Sequence, residues 1–237
     1  MSEISVKFLG SGTSHGVPMI ACDCETCTST DIKDKRTNAS VLISFDGNNI
    51  LIDCGKDFRN QAIQHKIMNI SAVFITHNHS DHTSGIDDLR AFNRVQEGSI
   101  PVFGNKDHLE EIKNYTFRYL FSEETQKGGG IANITLNPID QVTRVEGMDI
   151  EPLNVTHGGI DIFGYKFKNC AYITDVSFIP DETIEKLQGL DILIIDALRF
   201  DKHPTHFNVR QALQLAEQIK PKKTYFTHIC HDIMHSK

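Results

Sequence analysis

The sequence predicts an α/β fold of mixed β-sheets flanked by helices, and three observations carry that prediction. Apolar runs of strand length recur along all 237 residues, single helical segments fall between them, and polar residues able to do chemistry cluster where the runs end. The first run, 5–9, alternates and stops at Gly10-Ser11-Gly12-Thr13-Ser14. Residues 40–45 read as a strand, Asp46-Gly47-Asn48-Asn49 as a hairpin turn, and 50–52 as the partner strand. A short helix is expected over 57–65, a buried strand over 72–76, and helix again over 86–92. Strand 101–103 precedes a helix that starts at Asp107 and carries Leu109, Ile112, Tyr115, Phe117, Tyr119 and Leu120. Gly128-Gly129-Gly130 then breaks the pattern and could act as a hinge. Short strands are expected over 134–136, 148–150, 153–155, 163–167, 170–173 and 192–196. A helix over 209–219 ends at Pro221, and the last strand spans 223–226. No linker and no short-period repeat interrupts this order, so 1–237 reads as a single domain.

Composition narrows the function. At 39% hydrophobic and 23% charged residues the chain is ordinary for a soluble globular protein of a size that buries a core without staples. No apolar stretch approaches a membrane span and no signal-peptide core is present, which points to a cytoplasmic location and no membrane partner. A net charge of −7 without any basic run disfavours extended nucleic-acid binding, although a local anion site is compatible with it.

The most informative stretch is Thr76-His77-Asn78-His79-Ser80-Asp81-His82. It sets three imidazoles and a carboxylate within six positions, directly after the apolar run Ala72-Val73-Phe74-Ile75. Such N and O donors suit borderline divalent metals. His77 and His79, two apart on an extended segment, point to one side and can share an ion, while Asp81 and His82 lie past the turn and can address a second. Further donors sit at predicted strand ends, His157 after Val155-Thr156, Asp175 after Ile173-Thr174 and His228 after Phe226-Thr227, where α/β sheets place ligands. Each alone reads as a loop or capping residue. Beside the 76–82 run they complete a set for two ions, and paired ions suggest hydrolysis.

The His-x-His-x-Asp-His run, with Asp53 in Ile52-Asp53-Cys54-Gly55, His157, Asp175 and His228, resembles the signature of the metallo-β-lactamase superfamily over essentially the whole chain. The resemblance implies an αββα sandwich with a dinuclear site at one edge. It implies that His77, His79 and His157 hold one ion, that Asp81, His82 and His228 hold the other, and that Asp175 and a water bridge them. Asp53 would support the site from behind. The Asp81-His82 pair looks like the phosphodiesterase and hydrolase branches rather than the true β-lactamases. The metals could be zinc, manganese or iron.

A second cluster, Cys22-Asp23-Cys24-Glu25-Thr26-Cys27, reads as a metal site in a cytosolic protein, with reduced free thiols as the alternative. Three thiolates need a fourth ligand to close a tetrahedral structural zinc site, and His231, three residues beyond His228, is the best candidate. Cys54, Cys170 and Cys230 sit in apolar contexts and are expected to be buried as small hydrophobes. The Gly-rich loop, the Cys-x-Cys-x-x-Cys loop and the Thr-His-x-x-His end together are similar to the phosphoribosyl 1,2-cyclic phosphate phosphodiesterases of phosphonate breakdown and their relatives. Those relatives continue with a further strand and tail where this chain ends at Lys237.

Two ions offset by the Asp81 and Asp175 carboxylates leave a positive pocket in an acidic protein, which suits a small cyclic or nucleotide-like phosphodiester. By the resemblance, Asp81 and the water between the ions serve hydrolysis. His206, before the 209–219 helix, is the candidate to protonate the departing alkoxide, with His203 as a weaker substitute and a helix-entry histidine without catalytic duty as the alternative. Ser11, Thr13 and Ser14 could line the pocket, although a Gly-Ser-Gly alone is more often a turn. The aromatic segment 115–121 could form a lid or homodimer surface or pack in the core. Competing functions are a tRNA 3′-end endoribonuclease, disfavoured by the lack of a basic stripe, a lactamase or thioesterase, disfavoured by Asp81, and a non-catalytic metal-binding protein, disfavoured because every ligand position is filled.

Overall fold

A computed structural model describes residues 4–125 and 130–236. Among the described residues two six-stranded sheets follow one another along the chain. The first runs in the order β1 (Ser5–Gly10), β2 (Ser40–Phe45), β3 (Asn48–Ile52), β4 (Ala72–Phe74), β5 (Ile100–Gly104), β6 (Ile134–Pro138). The second has β7 (Thr143–Val145) at one edge, then β8 (Met148–His157), β9 (Ile160–Phe167), β10 (Cys170–Ile173), β11 (Ile192–Asp196) and β12 (Lys223–Thr227). Both sheets are mixed. Strands β3 to β6 run parallel with β2 antiparallel to β3, and β10 to β12 run parallel with β8, β9 and β10 alternating. The chain divides into two interleaved compact units: Met1–Leu9, Ser40–Asp140 and Val145–Gly147 in the first, Gly10–Ala39, Gln141–Arg144 and Met148–Lys237 in the second.

The first unit buries the apolar side chains of its strands, Leu51, Val73 and Val102 among them, against helices α2 (Phe58–Gln64) and α4 (Arg90–Gln96), where Phe58 and Phe92 meet at a ring distance of 6.0 Å. A fully buried side chain such as Phe58 contributes about 1.5–3 kcal/mol. The second unit packs Leu153, Ile173, Leu193 and Ile195 with the stripe Ala212, Leu215 and Ile219 of helix α8 (Val209–Ile219). The sequence dictates this last helix closely. Asn208 caps it and forms a capping box with Gln211, its apolar residues recur at helical spacing, and it stops short of Pro221.

Three expectations need correction. The β2–β3 turn is the two residues Asp46-Gly47, both at positive φ (+47° and +79°), so β3 starts at Asn48, paired with Phe45. The two strands expected around Glu151-Pro152 are one, because Pro152 pairs with Tyr165 inside an unbroken β8–β9 ladder. The helix from Asp107 is not continuous: α5 (Lys106–Glu111) passes through a π-turn at Ile112–Thr116 into α6 (Arg118–Phe121). The buried residues Leu109, Ile112, Phe117 and Leu120 explain this. The five-residue step from Ile112 to Phe117 suits an i→i+5 turn, and Phe117 N–H donates to the Ile112 carbonyl at 2.8 Å. Phe117 and Leu120 thus serve the core, while Tyr115 and Tyr119 are exposed. Of the triple glycine, residues 128 and 129 lie outside the described residues. Among the described residues no helix is long and apolar enough to cross a membrane.

Candidate metal centre and active site

Strand direction decides where the functional residues emerge. In the first unit β3 and β4 are parallel, so Asp53 and the Thr76–His82 segment leave the sheet at the same edge. Asp53 is completely buried. It accepts from the Thr76 amide (2.9 Å) and hydroxyl, and from His82 Nδ1 at 2.8 Å. Burial pushes its carboxyl above the usual range, against the pull of His82 and Thr76. With Nδ1 of His82 held by Asp53, Nε2 is the ring nitrogen that could bind a metal. That atom lies 3.1 Å from Asp81 Oδ2, both residues being on the single-turn helix α3 (Ser80–Thr83). The His77 and His79 rings lie 4.4 Å apart and those of His77 and His82 4.3 Å. The four expected ligands of this unit are therefore brought together.

The same logic operates in the second unit. Strands β8, β10, β11 and β12 point the same way, so His157, Asp175, Asp196 and His228 leave at one edge. His157 Nδ1–H donates to the Thr205 carbonyl at 2.8 Å, and Asp175 Oδ2 lies 3.2 Å from His228 Nε2. His206 is 8% exposed, stacks on His228 at 4.7 Å, and lies 4.7 Å from His157. Its Nδ1–H donates to Asp196 Oδ2 at 2.9 Å, and the same oxygen accepts the Val176 amide at 2.9 Å. Burial pushes the Asp196 carboxyl up, with His206 opposing. His203, the weaker acid candidate, accepts from Thr205 Oγ1 through Nδ1 at 3.1 Å, and burial lowers its pKa. Ser14 and Thr13 line a cleft beside His206, whereas Ser11 is not part of its lining.

These donors fit divalent metals. Two donors about 2.0–2.2 Å from one ion, at octahedral to tetrahedral angles, stand about 3.0–3.5 Å apart, and the Asp81–His82 and Asp175–His228 pairs fall at 3.1 and 3.2 Å. In a tetrahedral zinc site a thiolate and an imidazole nitrogen stand about 3.5 Å apart. Nδ1 of His231 lies 3.2, 3.4 and 3.6 Å from the sulfurs of Cys22, Cys24 and Cys27. The Cys27 amide, pointing at the Cys24 sulfur, lowers that thiol's pKa to about 6, while burial raises Cys27 to about 11. Cys54, Cys170 and Cys230 are buried and join no such cluster among the described residues.

Sequence reasoning missed three residues. Asp196 terminates a buried strand as Asp53 does, and that parallel between Ile-Ile-Asp and Leu-Ile-Asp was the available signal. His108, bound to Asn78 Oδ1 at 2.9 Å and 6.3 Å from His77, is brought in by α5 from thirty residues downstream, and nothing local announces it. Arg36 is buried on Asp34 (3.1 Å) and donates to the Cys230 carbonyl at 3.3 Å, which ties the cysteine loop to the His228–His231 segment.

The fold and the ligand pattern define the class of protein. The chain belongs to the metallo-β-lactamase superfamily, matching the family model of the beta-lactamase superfamily domain over residues 48–229. Within that superfamily it resembles the PhnP family: a crystal structure of a new diphosphatase from that family is 40% identical, covers 99% of this chain and 90% of its own, and superposes with a TM-score of 0.91. An octanoyltransferase of Porphyromonas gingivalis is 38% identical over 94% of this chain. The chain spans only 45% of that protein's length, so its name does not say what the matched part does. A ribonuclease Z of Methanococcus maripaludis is 34% identical over 83 residues, a third of this chain and 27% of that enzyme. The PhnP-family diphosphatase and the ribonuclease Z that this chain resembles are hydrolases, and the αββα fold class expected from the motifs is the fold of this superfamily.

Proposed function

We propose that the chain is a dinuclear metal-dependent phosphodiesterase acting on a small cyclic or nucleotide-like phosphodiester. In this reading His77, His79 and His157 hold one ion, Asp81, His82 and His228 the other, and Asp175 both. Two divalent ions bound there, zinc or manganese or iron, supply Lewis acidity toward phosphoryl oxygens and a water of lowered pKa. The protein's own contribution is orientation and proton supply. Asp53 and the Thr205 carbonyl fix the rings of His82 and His157. His206 protonates the departing alkoxide from Nε2, while Asp196 holds its Nδ1–H and stabilises the imidazolium form before the transfer. A structural zinc on Cys22, Cys24, Cys27 and His231 holds the segment that bears His228.

The observation that carries the reading is the His206–Asp196 pair. An imidazole fixed by a buried carboxylate beside metal-ligand residues is what an alkoxide leaving group needs. The 40% identity to a PhnP-family diphosphatase supports phosphorus as the electrophile. The test is a parallel assay of bis-p-nitrophenyl phosphate, a cyclic ribose phosphate, a dinucleoside polyphosphate, a tRNA precursor and nitrocefin on the metal-loaded protein. Turnover of the small phosphorus substrates and not of nitrocefin is expected. Cleavage of the tRNA precursor alone would make the chain a ribonuclease Z-type enzyme, and turnover of nitrocefin alone would refute phosphodiester chemistry.

A further inference from the structure

An imidazole meets an ion at a fixed angle only if its ring and its backbone are both held. In the first unit Asp53 holds the His82 ring, and the Thr76 hydroxyl lies 3.0 Å from His77 Nδ1. The His77–His79 backbone is tied down separately. The Thr83 hydroxyl donates to the His79 carbonyl at 2.9 Å and, more weakly, to the Asn78 carbonyl at 3.4 Å. Asn78 itself is gripped from another element, where His108 Nδ1–H donates to Asn78 Oδ1 at 2.9 Å. The His77 and His79 rings lie 4.4 Å apart and so share a side. The residue between two such side chains points away from them, which makes the Asn78 carboxamide a handle on the segment that carries both.

His108 is buried, and the helix that bears it is locked to the strand that delivers the histidines. Asn105 caps α5 by accepting the Asp107 amide at 2.9 Å, and Leu109, beside His108, lies in the core of this unit. The Ile75 amide donates to the Phe103 carbonyl at 2.8 Å. A Cβ on Gly104 would stand 3.1 Å from the Ile75 carbonyl oxygen and 3.4 Å from Leu109 Cδ2, so a glycine lets the β5–α5 junction close this far on the end of β4. Two residues past Ile75 comes His77, whose ring is 6.3 Å from that of His108. The helix and the histidine run are thus one packed piece, and its single printed link to the residue between His77 and His79 is the His108 hydrogen bond.

We propose that His108 is a positioning residue for the ion assigned to His77 and His79: through Asn78 it fixes the segment between them, so that both imidazoles address one ion before it arrives. The inference rests on the metal-centre reading under the proposed function and deepens it. Preorganisation removes part of the ordering cost of binding, and loss of an outer partner of this kind weakens metal affinity about 10–100-fold. The effect belongs to that ion, because Asp81 and His82 are placed by α3 and by Asp53 instead.

The experiment titrates chelator-treated protein with zinc and, separately, with manganese by calorimetry, and measures the Tm of each metal-free protein alongside. The proteins are wild type, His79→Ala, His108→Ala, His108→Gln, Asn78→Ala and the variant carrying both His108→Ala and Asn78→Ala. His79→Ala removes a proposed ligand and so identifies the binding step that belongs to this ion. In His108→Ala that step should weaken about tenfold or more while the other steps keep their affinity. Asn78→Ala should show the same loss, and the double variant no more than either single one. His108→Gln, which keeps an N–H donor, should lose less. A merely structural histidine would lower the metal-free Tm without a selective change in one step. Unchanged binding of both metals by folded His108→Ala, an equal loss on every step, or single losses that add in the double variant would overturn the positioning role and leave the centre standing. If His108→Ala does not fold, unchanged binding by Asn78→Ala overturns it. No step lost in His79→Ala would overturn the metal-centre reading and this inference with it.

Discussion

Three residues of the candidate centre, Asp53, Asp175 and His228, hold left-handed backbone with φ of +63°, +54° and +55°. A non-glycine residue there costs on the order of 1 kcal/mol or more, and the turn it makes aims a side chain back across the end of its own strand. Asp and His tolerate this region better than branched residues do, so the strand ends can bear both the conformation and the donor. Asp196 is the last residue of its strand and holds the His206 ring. Replacing it by Asn keeps an acceptor for the Val176 amide but withdraws the charge that stabilises the His206 imidazolium. Turnover of an alkyl phosphodiester should then fall about a hundredfold, and that of a p-nitrophenyl ester, whose leaving group needs no proton, much less. Equal losses on both esters would remove His206 from the acid role. Asp34 supports the site from further away. Its burial works to raise its pKa, but the His235 amide at 2.7 Å, Ser29 and Arg36 outweigh that and hold it below the usual value. A folded pKa below the unfolded one gives stability that is present above about pH 4 and is lost as pH falls through the folded value. Thermal melts of wild type and Asp34→Asn should therefore differ most above about pH 5 and converge toward pH 3. A difference independent of pH would assign the effect to packing instead.

At the scale of elements, the cysteine loop and the chain's last segment behave as one structural piece. Helix α1 (Glu25–Thr28) is a single turn that the Cys24 sulfur caps by accepting the Cys27 amide, too short to persist without tertiary support. That support comes from His231, within 3.6 Å of all three sulfurs, and from Arg36 on the Cys230 carbonyl. If zinc closes this site, Cys24→Ser should remove about one equivalent of bound zinc. The loss of about 2 kcal/mol or more would lower Tm by roughly 4–8 °C. Unchanged zinc content and Tm would refute the structural role. Elements of this kind differ in how far the sequence discloses them. The capping box, apolar stripe and terminal proline of α8 are local, and its bounds follow from them. The π-turn at Ile112–Thr116 and the continuity of β8 through Pro152 depend on what the neighbouring strands and core require, which no local pattern records. In the candidate centre, metal-binding candidates that lie within one motif, such as His77 to His82, can be read directly. His108 could not, and Asp196 showed only in its likeness to Asp53, because their partners Asn78, Val176 and His206 are brought to them only by folding.

At the scale of the whole molecule, a chain of net charge −7 carries donor sets that could hold divalent cations. Self-repulsion among the carboxylates of such sets opposes folding, and a bound cation relieves it. Metals that bind the folded chain and not the unfolded one stabilise it by mass action, about 4 kcal/mol per ion at a thousandfold excess over Kd. For a chain of this size that is roughly 8–16 °C in Tm per ion. Dialysis against a chelator should therefore do two separable things. It should abolish phosphodiester hydrolysis and lower Tm, and readdition of manganese or zinc should restore both. In Asp175→Asn, which lacks the carboxylate proposed to serve both ions, readdition should restore only part of the Tm and little activity. Metal analysis of each sample ties the two readouts to stoichiometry. Full turnover in protein holding less than about a tenth of an ion per chain would remove metal chemistry from the mechanism. A Tm insensitive to chelation in that same protein would show that the donor sets contribute nothing to folding through bound cations.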